Sequence, residues 1–128
     1  MNEPRPFDTA EARLRDVPWR ALDGLAPALE AAIAEVLGGD PAERVLDRVL
    51  RAHRALDADG RAAVAEAIFG VGLWRRRLAA QLRTPAPGPR LLLAALLRDL
   101  GGVPAPAAER LAGIAPGALP PPRPAPAA

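Results

Sequence analysis

Residues 57–83, DADGRAAVAEAIFGVGLWRRRLAAQLR, decide the architecture. Val64, Ile68, Val71, Leu78 and Leu82 recur at helical spacings and draw one apolar stripe, which Ala67 and Trp74 widen. Asp57 or Asp59 can accept a free N–H of the first turn, so the spacing predicts a helix over about Ala58–Arg83. Gly70 and Gly72 each cost roughly 1 kcal/mol of helix propensity against alanine, and belong here only if a neighbour comes close or the helix bends. Ala65, Gly72 and Ala79 repeat every seven residues, a row of small side chains that predicts a tight packing seam, within the chain or with a second one.

Upstream, Val45, Leu46, Val49, Leu50, His53 and Leu56 share one side of a predicted helix, with Arg44, Arg48, Arg51 and Arg54 on the opposite half. Asp40-Pro41-Ala42-Glu43 signals its start: a carboxylate at the N-cap, proline at the first helical position, and a glutamate placed to bond back to the cap. That helix is predicted to reach about Leu56. Before it, Leu22, Leu25, Leu29, Ile33 and Val36 mark a helix over Trp19–Leu37, closed by Gly38-Gly39. Pro27 removes a backbone donor inside that span, so either a kink there or a start near Ala26 is expected. Residues 1–18 carry Pro4, Pro6 and Pro18 and read as a flexible arm, with room for a helical turn between Thr9 and Arg15.

Downstream, residues 84–89, TPAPGP, form a break that no helix crosses. Short helices are predicted over Arg90–Leu100 and Pro104–Leu111. From Ala115 the sequence APGALPPPRPAPAA has no periodicity and few large apolar groups, so residues 115–128 are expected to be a disordered, polyproline-II-like linker. Alternating β-branched runs are missing throughout. The predicted fold is all-α: a bundle of about five helices over residues 19–114, with the arm before it and the tail after it.

The chain has 128 residues, half of them apolar, sixteen prolines, no cysteine and a formal net charge of +2. That is one domain at most, with enough apolar content for a core. No apolar run approaches the roughly 18 residues of a membrane span; the longest, Leu91 to Leu97, is flanked by Arg90 and Arg98. No cationic stretch followed by an apolar run opens the chain, so a signal peptide is not read and a cytoplasmic protein is expected. Lysine, serine, tyrosine and cysteine are all absent, which removes phosphate-binding loops that need lysine and every serine or cysteine triad. With one histidine and no thiolate, no zinc site is expected. Asp57/Asp59 and Glu30/Glu35 read as caps and solvent-facing charges rather than a catalytic pair. His53 reads as a core-edge histidine donating to a carbonyl, the alternative being a ring stacked on a nucleotide base. Trp19 and Trp74 read as core or interface residues.

All positive charge is arginine. At 100° per residue Arg61, Arg75, Arg76 and Arg83 fall within about a quarter turn to a third of the helix circumference, and Arg75-Arg76-Arg77 is a run along the chain. Arg44, Arg48 and Arg51 make a second stripe on the preceding helix. Two such faces can bracket a phosphate backbone through bidentate contacts. Ordinary solvation by the only cationic residue type in the chain explains the same pattern, and Asp47 is placed to pair with Arg51.

Residues 48–82, RVLRAHRALDADGRAAVAEAIFGVGLWRRRLAAQL, resemble the N-terminal, NusB-like domain of the Sun/Fmu (RsmB) family of ribosomal RNA 5-methylcytosine methyltransferases. Leu56, Arg61, the Ala67-Ile68-Phe69-Gly70 step and Arg75-Arg76-Arg77-Leu78 match that family in order and spacing. PAERVLDRVLRAHR before them and RLLLAALLRDLGGVPA after the proline-rich break are similar to it too, so the resemblance covers about Leu22 to Ile114. Gly60 stands where the family usually has aspartate. The family's catalytic part, a Rossmann-like domain that binds S-adenosylmethionine and attacks the pyrimidine ring with cysteine, is not in these residues.

The resemblance therefore implies a NusB-like bundle that binds and positions RNA, most simply ribosomal RNA, without a cofactor of its own. S-adenosylmethionine is implied only for a catalytic domain acting in cis or in trans. The expected RNA-binding residues are Arg61, Arg75, Arg76, Arg77 and Arg83, with Arg44, Arg48 and Arg51. Two other readings remain: a standalone NusB-like protein-interaction or antitermination module, and a purely structural tether for a catalytic half.

Overall fold

The computed structural model describes residues 12–122, and among them every regular element is helical. After a 3-10 turn at Trp19–Leu22 come α1 (Ala26–Leu37), α2 (Ala42–Ala52), α3 (Ala58–Leu82), α4 (Pro89–Asp99) and α5 (Ala105–Ala112). The all-α expectation is met in five α-helices.

Helix starts follow local chemistry, with one exception. Pro27 lies in the first turn of α1, where its missing N–H costs nothing, so the helix begins at Ala26 and Trp19–Leu22 is a separate turn. Asp57 caps α3, its Oδ1 accepting the Gly60 N–H at 2.8 Å. The box expected at Asp40 does not form: Pro41, in extended conformation, takes the N-cap place and no side chain bonds the first turn of α2. That helix also stops at Ala52, short of Leu56, because His53 leaves the helical conformation (φ −122°, ψ 61°).

The core lies around α4. Leu92, Leu93, Ala94, Ala95, Leu96 and Leu97 are all buried, and α4 packs against α1, α3 and α5. The stripe of α3 faces inward as predicted: Val64, Ala67, Ile68, Val71, Leu78 and Leu82 are buried, and Trp74 is half-buried. At Gly70 the side chain of Leu96 on α4 fills the space, since a β-carbon there would sit 3.0 Å from Leu96 Cδ2. At Gly72 the neighbour is α1, with Val36 Cγ1 at 3.3 Å from such a carbon. Close approach thus accounts for both glycines, and the middle of the small-residue seam is used inside the chain.

Both flanks are more ordered than their composition suggests. Before the bundle, residues 12–14 are helical, Leu14 is buried and its carbonyl accepts the Trp19 indole N–H at 2.9 Å. At the other end, the expected disordered tail is docked as far as Pro120. Leu119 is buried, its N–H donates to Glu109 Oε2 at 2.9 Å, and the Pro120 carbonyl accepts from Arg98. One leucine and one buried carboxylate hold a segment whose composition reads as linker. The rest of the expected arm and tail, residues 1–11 and 123–128, lies outside the described residues.

Gly70→Val is expected to lower stability by about 1–3 kcal/mol in denaturant titration, since new methyl groups must displace Leu96 in a filled core. Glu109→Ala should cost about 1–3 kcal/mol by leaving the Leu119 N–H buried without an acceptor, and should open the tail to proteolysis. Glu109→Gln keeps an acceptor oxygen and should retain most of the stability.

Candidate nucleic-acid interface

Arginine chemistry depends on what each guanidinium already faces. On α2, Arg48 pairs with Glu35 of α1, and Arg51 pairs with Asp47 one turn earlier at 3.0 Å. Arg44 is exposed and has no ion-pair partner among the described residues. This helix therefore presents a mixed face, with two of its three expected arginines against carboxylates.

On α3 the neighbours differ. Arg75, Arg76 and Arg77 are all exposed, although the helix that carries them is anchored by Leu78 and Leu82 in the core. Arg75 Nη1 donates to the Leu37 carbonyl at 3.4 Å, a long contact at the C-terminus of α1, where the helix dipole favours a cation. Arg77 lies over the Trp74 ring, 5.6 Å from its centroid, a cation–π arrangement. For Arg76 there is no ion pair among the described residues. Arg61 is exposed too, but fourteen residues earlier, about 21 Å along the helix axis.

Arg83 departs from the expectation. The helix ends at Leu82 and Arg83 adopts a left-handed backbone (φ 54°, ψ 30°), so the helical wheel no longer sets its direction. It is exposed and follows the arginine run at the end of α3, but it does not continue the stripe.

His53 is half-buried at the end of α2 and makes no side-chain hydrogen bond among the described residues, so the expected contact with a carbonyl does not form. Sequence reasoning missed two adjacent grooves that share Trp19 and Arg20. One, of about 510 Å³, adds Asp23 and Arg110 from α5; the other, of about 740 Å³, adds Arg15, Asp57 and Asp59. Nothing in the spacing of Arg15, Arg20 and Arg110 announces that they meet around one tryptophan. Each groove sets carboxylates beside its arginines, which suits a phosphate ligand less well than the end of α3 does.

Among the described residues there is no group of three or more side chains able to hold a metal ion. No helix there is long and apolar enough to cross a membrane. Comparison with protein-family models, with curated proteins and with solved structures finds no match.

Replacing Arg75 or Arg76 singly by alanine is expected to change stability by less than about 0.5 kcal/mol, because both are exposed and neither fills the core. Thermal melts of the two variants check this.

Proposed function

We propose that the chain is an RNA-binding module, holding phosphate at the C-terminal end of α3. In this reading it positions ribosomal RNA for a methyltransferase domain of the Sun/Fmu (RsmB) type, and the bundle is NusB-like. The observation that carries the proposal is the exposed Arg75-Arg76-Arg77 run on a helix locked to the core, with Arg83 just beyond it. Guanidinium groups on a fixed frame lose little freedom on binding, and they match phosphate oxygens two at a time. Arg61 contacts a more distant part of the same strand, and Arg44, Arg48 and Arg51 contribute at the margin.

The residues also set what the module leaves to others. The fifth carbon of cytosine is a poor nucleophile until an enzyme nucleophile has added to the ring. In the family this chain resembles that nucleophile is cysteine, and here there is none. Methyl transfer and the S-adenosylmethionine it consumes thus belong to a separate catalytic domain, in cis or in trans.

Fluorescence anisotropy with labelled ribosomal RNA fragments tests the assignment. Arg75→Glu/Arg76→Glu is expected to weaken binding at least about tenfold, and to reduce the slope of log K against log salt by about 0.7 per lost contact on single-stranded RNA. Arg51→Ala should change neither much, because Asp47 already engages that guanidinium. Unchanged affinity and slope in the double variant would remove the proposal.

A further inference from the structure

The core uses only one face of α3. On the opposite face Ala62, Phe69, Leu73, Arg76 and Ala80 fall within about 60° of one another, and Glu66 borders them. Phe69 is 39% exposed and Leu73 68% exposed, and they are the exposed large hydrophobic residues of the described chain. They stand one turn apart, so their side chains form a single patch. This second apolar face leaves α3 apolar on both sides, while solvent-facing helix surfaces are ordinarily polar.

We infer that this face pairs with the same face of a second copy, α3 against α3, antiparallel about a two-fold axis near residue 71. A two-fold interface must be complementary to itself, and the sequence of the stripe is. Antiparallel pairing about that point sets Phe69 against the partner's Leu73, Leu73 against the partner's Phe69, and Ala62 against the partner's Ala80. It also sets Glu66 against the partner's Arg76, and Arg76 against the partner's Glu66. A parallel pairing would place like charges together at both positions. Arg13 Nη2 already lies 3.3 Å from both carboxylate oxygens of Glu66, but Arg13 is exposed and each oxygen has a second lone pair to offer. Arg76 has no ion-pair partner among the described residues. A patch built on one helix is small beside a standard protein interface, so the dimer is a weak, concentration-dependent one.

The inference does not rest on the RNA reading, although Arg76 serves in both. Leu73 separates them: it is the centre of the dimer face and takes no part in phosphate binding. Analytical ultracentrifugation of the full chain, up to about 1 mM, is expected to show the mass rise from 13.4 kDa toward twice that value. Leu73→Glu should abolish the rise while leaving the melting curve unchanged. Glu66→Arg and Arg76→Glu should each weaken association, and the double variant should restore it. Positions 66 and 76 lie about 15 Å apart in one chain, so such a rescue can arise only between chains. A chain that stays at 13.4 kDa throughout, a dimer that survives Leu73→Glu, or a double variant no better than the singles would each overturn the proposal.

Discussion

Burial of α4 is the constraint from which the rest of the fold follows. Six successive residues, Leu92–Leu97, point in all directions from a helix axis, and all six are buried. A helix can achieve that only if other elements cover its whole circumference. Here α1, α3 and α5 supply the cover, and arginines tie both ends. Arg90 Nη1 donates to the Gly113 carbonyl at 3.0 Å, and its Nε lies 3.1 Å from Glu30, near enough for an ion pair although the angle is not that of a hydrogen bond. Arg98 holds Asp99 and the Pro120 carbonyl. The two arginines that bound the apolar run in sequence are therefore fastenings of the core, unlike those of α3.

Once α4 is central, α3 has one face committed. Leu96 occupies the room that Gly70 leaves, which fixes the rotation of α3, and Val36 over Gly72 fixes its contact with α1. Rotation set in this way turns Phe69 and Leu73 outward as surely as it turns Ile68 and Val71 inward. The exposed face is thus a geometric consequence of the buried one. A 25-residue helix is also longer than the 11-residue α4 it packs against.

Much of this was legible in the residues. Helical spacing identified the buried stripe of α3, and Pro27 narrowed α1 to a kink or a start near Ala26, of which the fold takes the start, because both signals act within one or two turns. The glycines announced close neighbours without saying which. Signals that needed a tertiary partner were read less well. Asp40 has the right chemistry for a cap, yet the extended Pro41 takes that place. Residues 115–120 have a linker's composition, and their docking depends on Glu109 and Arg98, ten and twenty-two residues from their partners. Arg83 left the helical wheel because the chain turns left-handed one residue before Thr84-Pro85.

The same distinction decides how the candidate interface is to be read. Along the sequence, Arg44-Arg48-Arg51 and Arg75-Arg76-Arg77 look alike: both are arginine clusters on predicted helices. In space the first cluster meets Glu35 and Asp47, while Arg75 meets a carbonyl and Arg77 a tryptophan face. An arginine already facing a carboxylate must give up that pair to take a phosphate, so its net gain is small. Arg76, exposed and without an ion pair among the described residues, has no such pair to give up. Two arginine clusters that read alike along the sequence thus differ in space by the groups already placed against them.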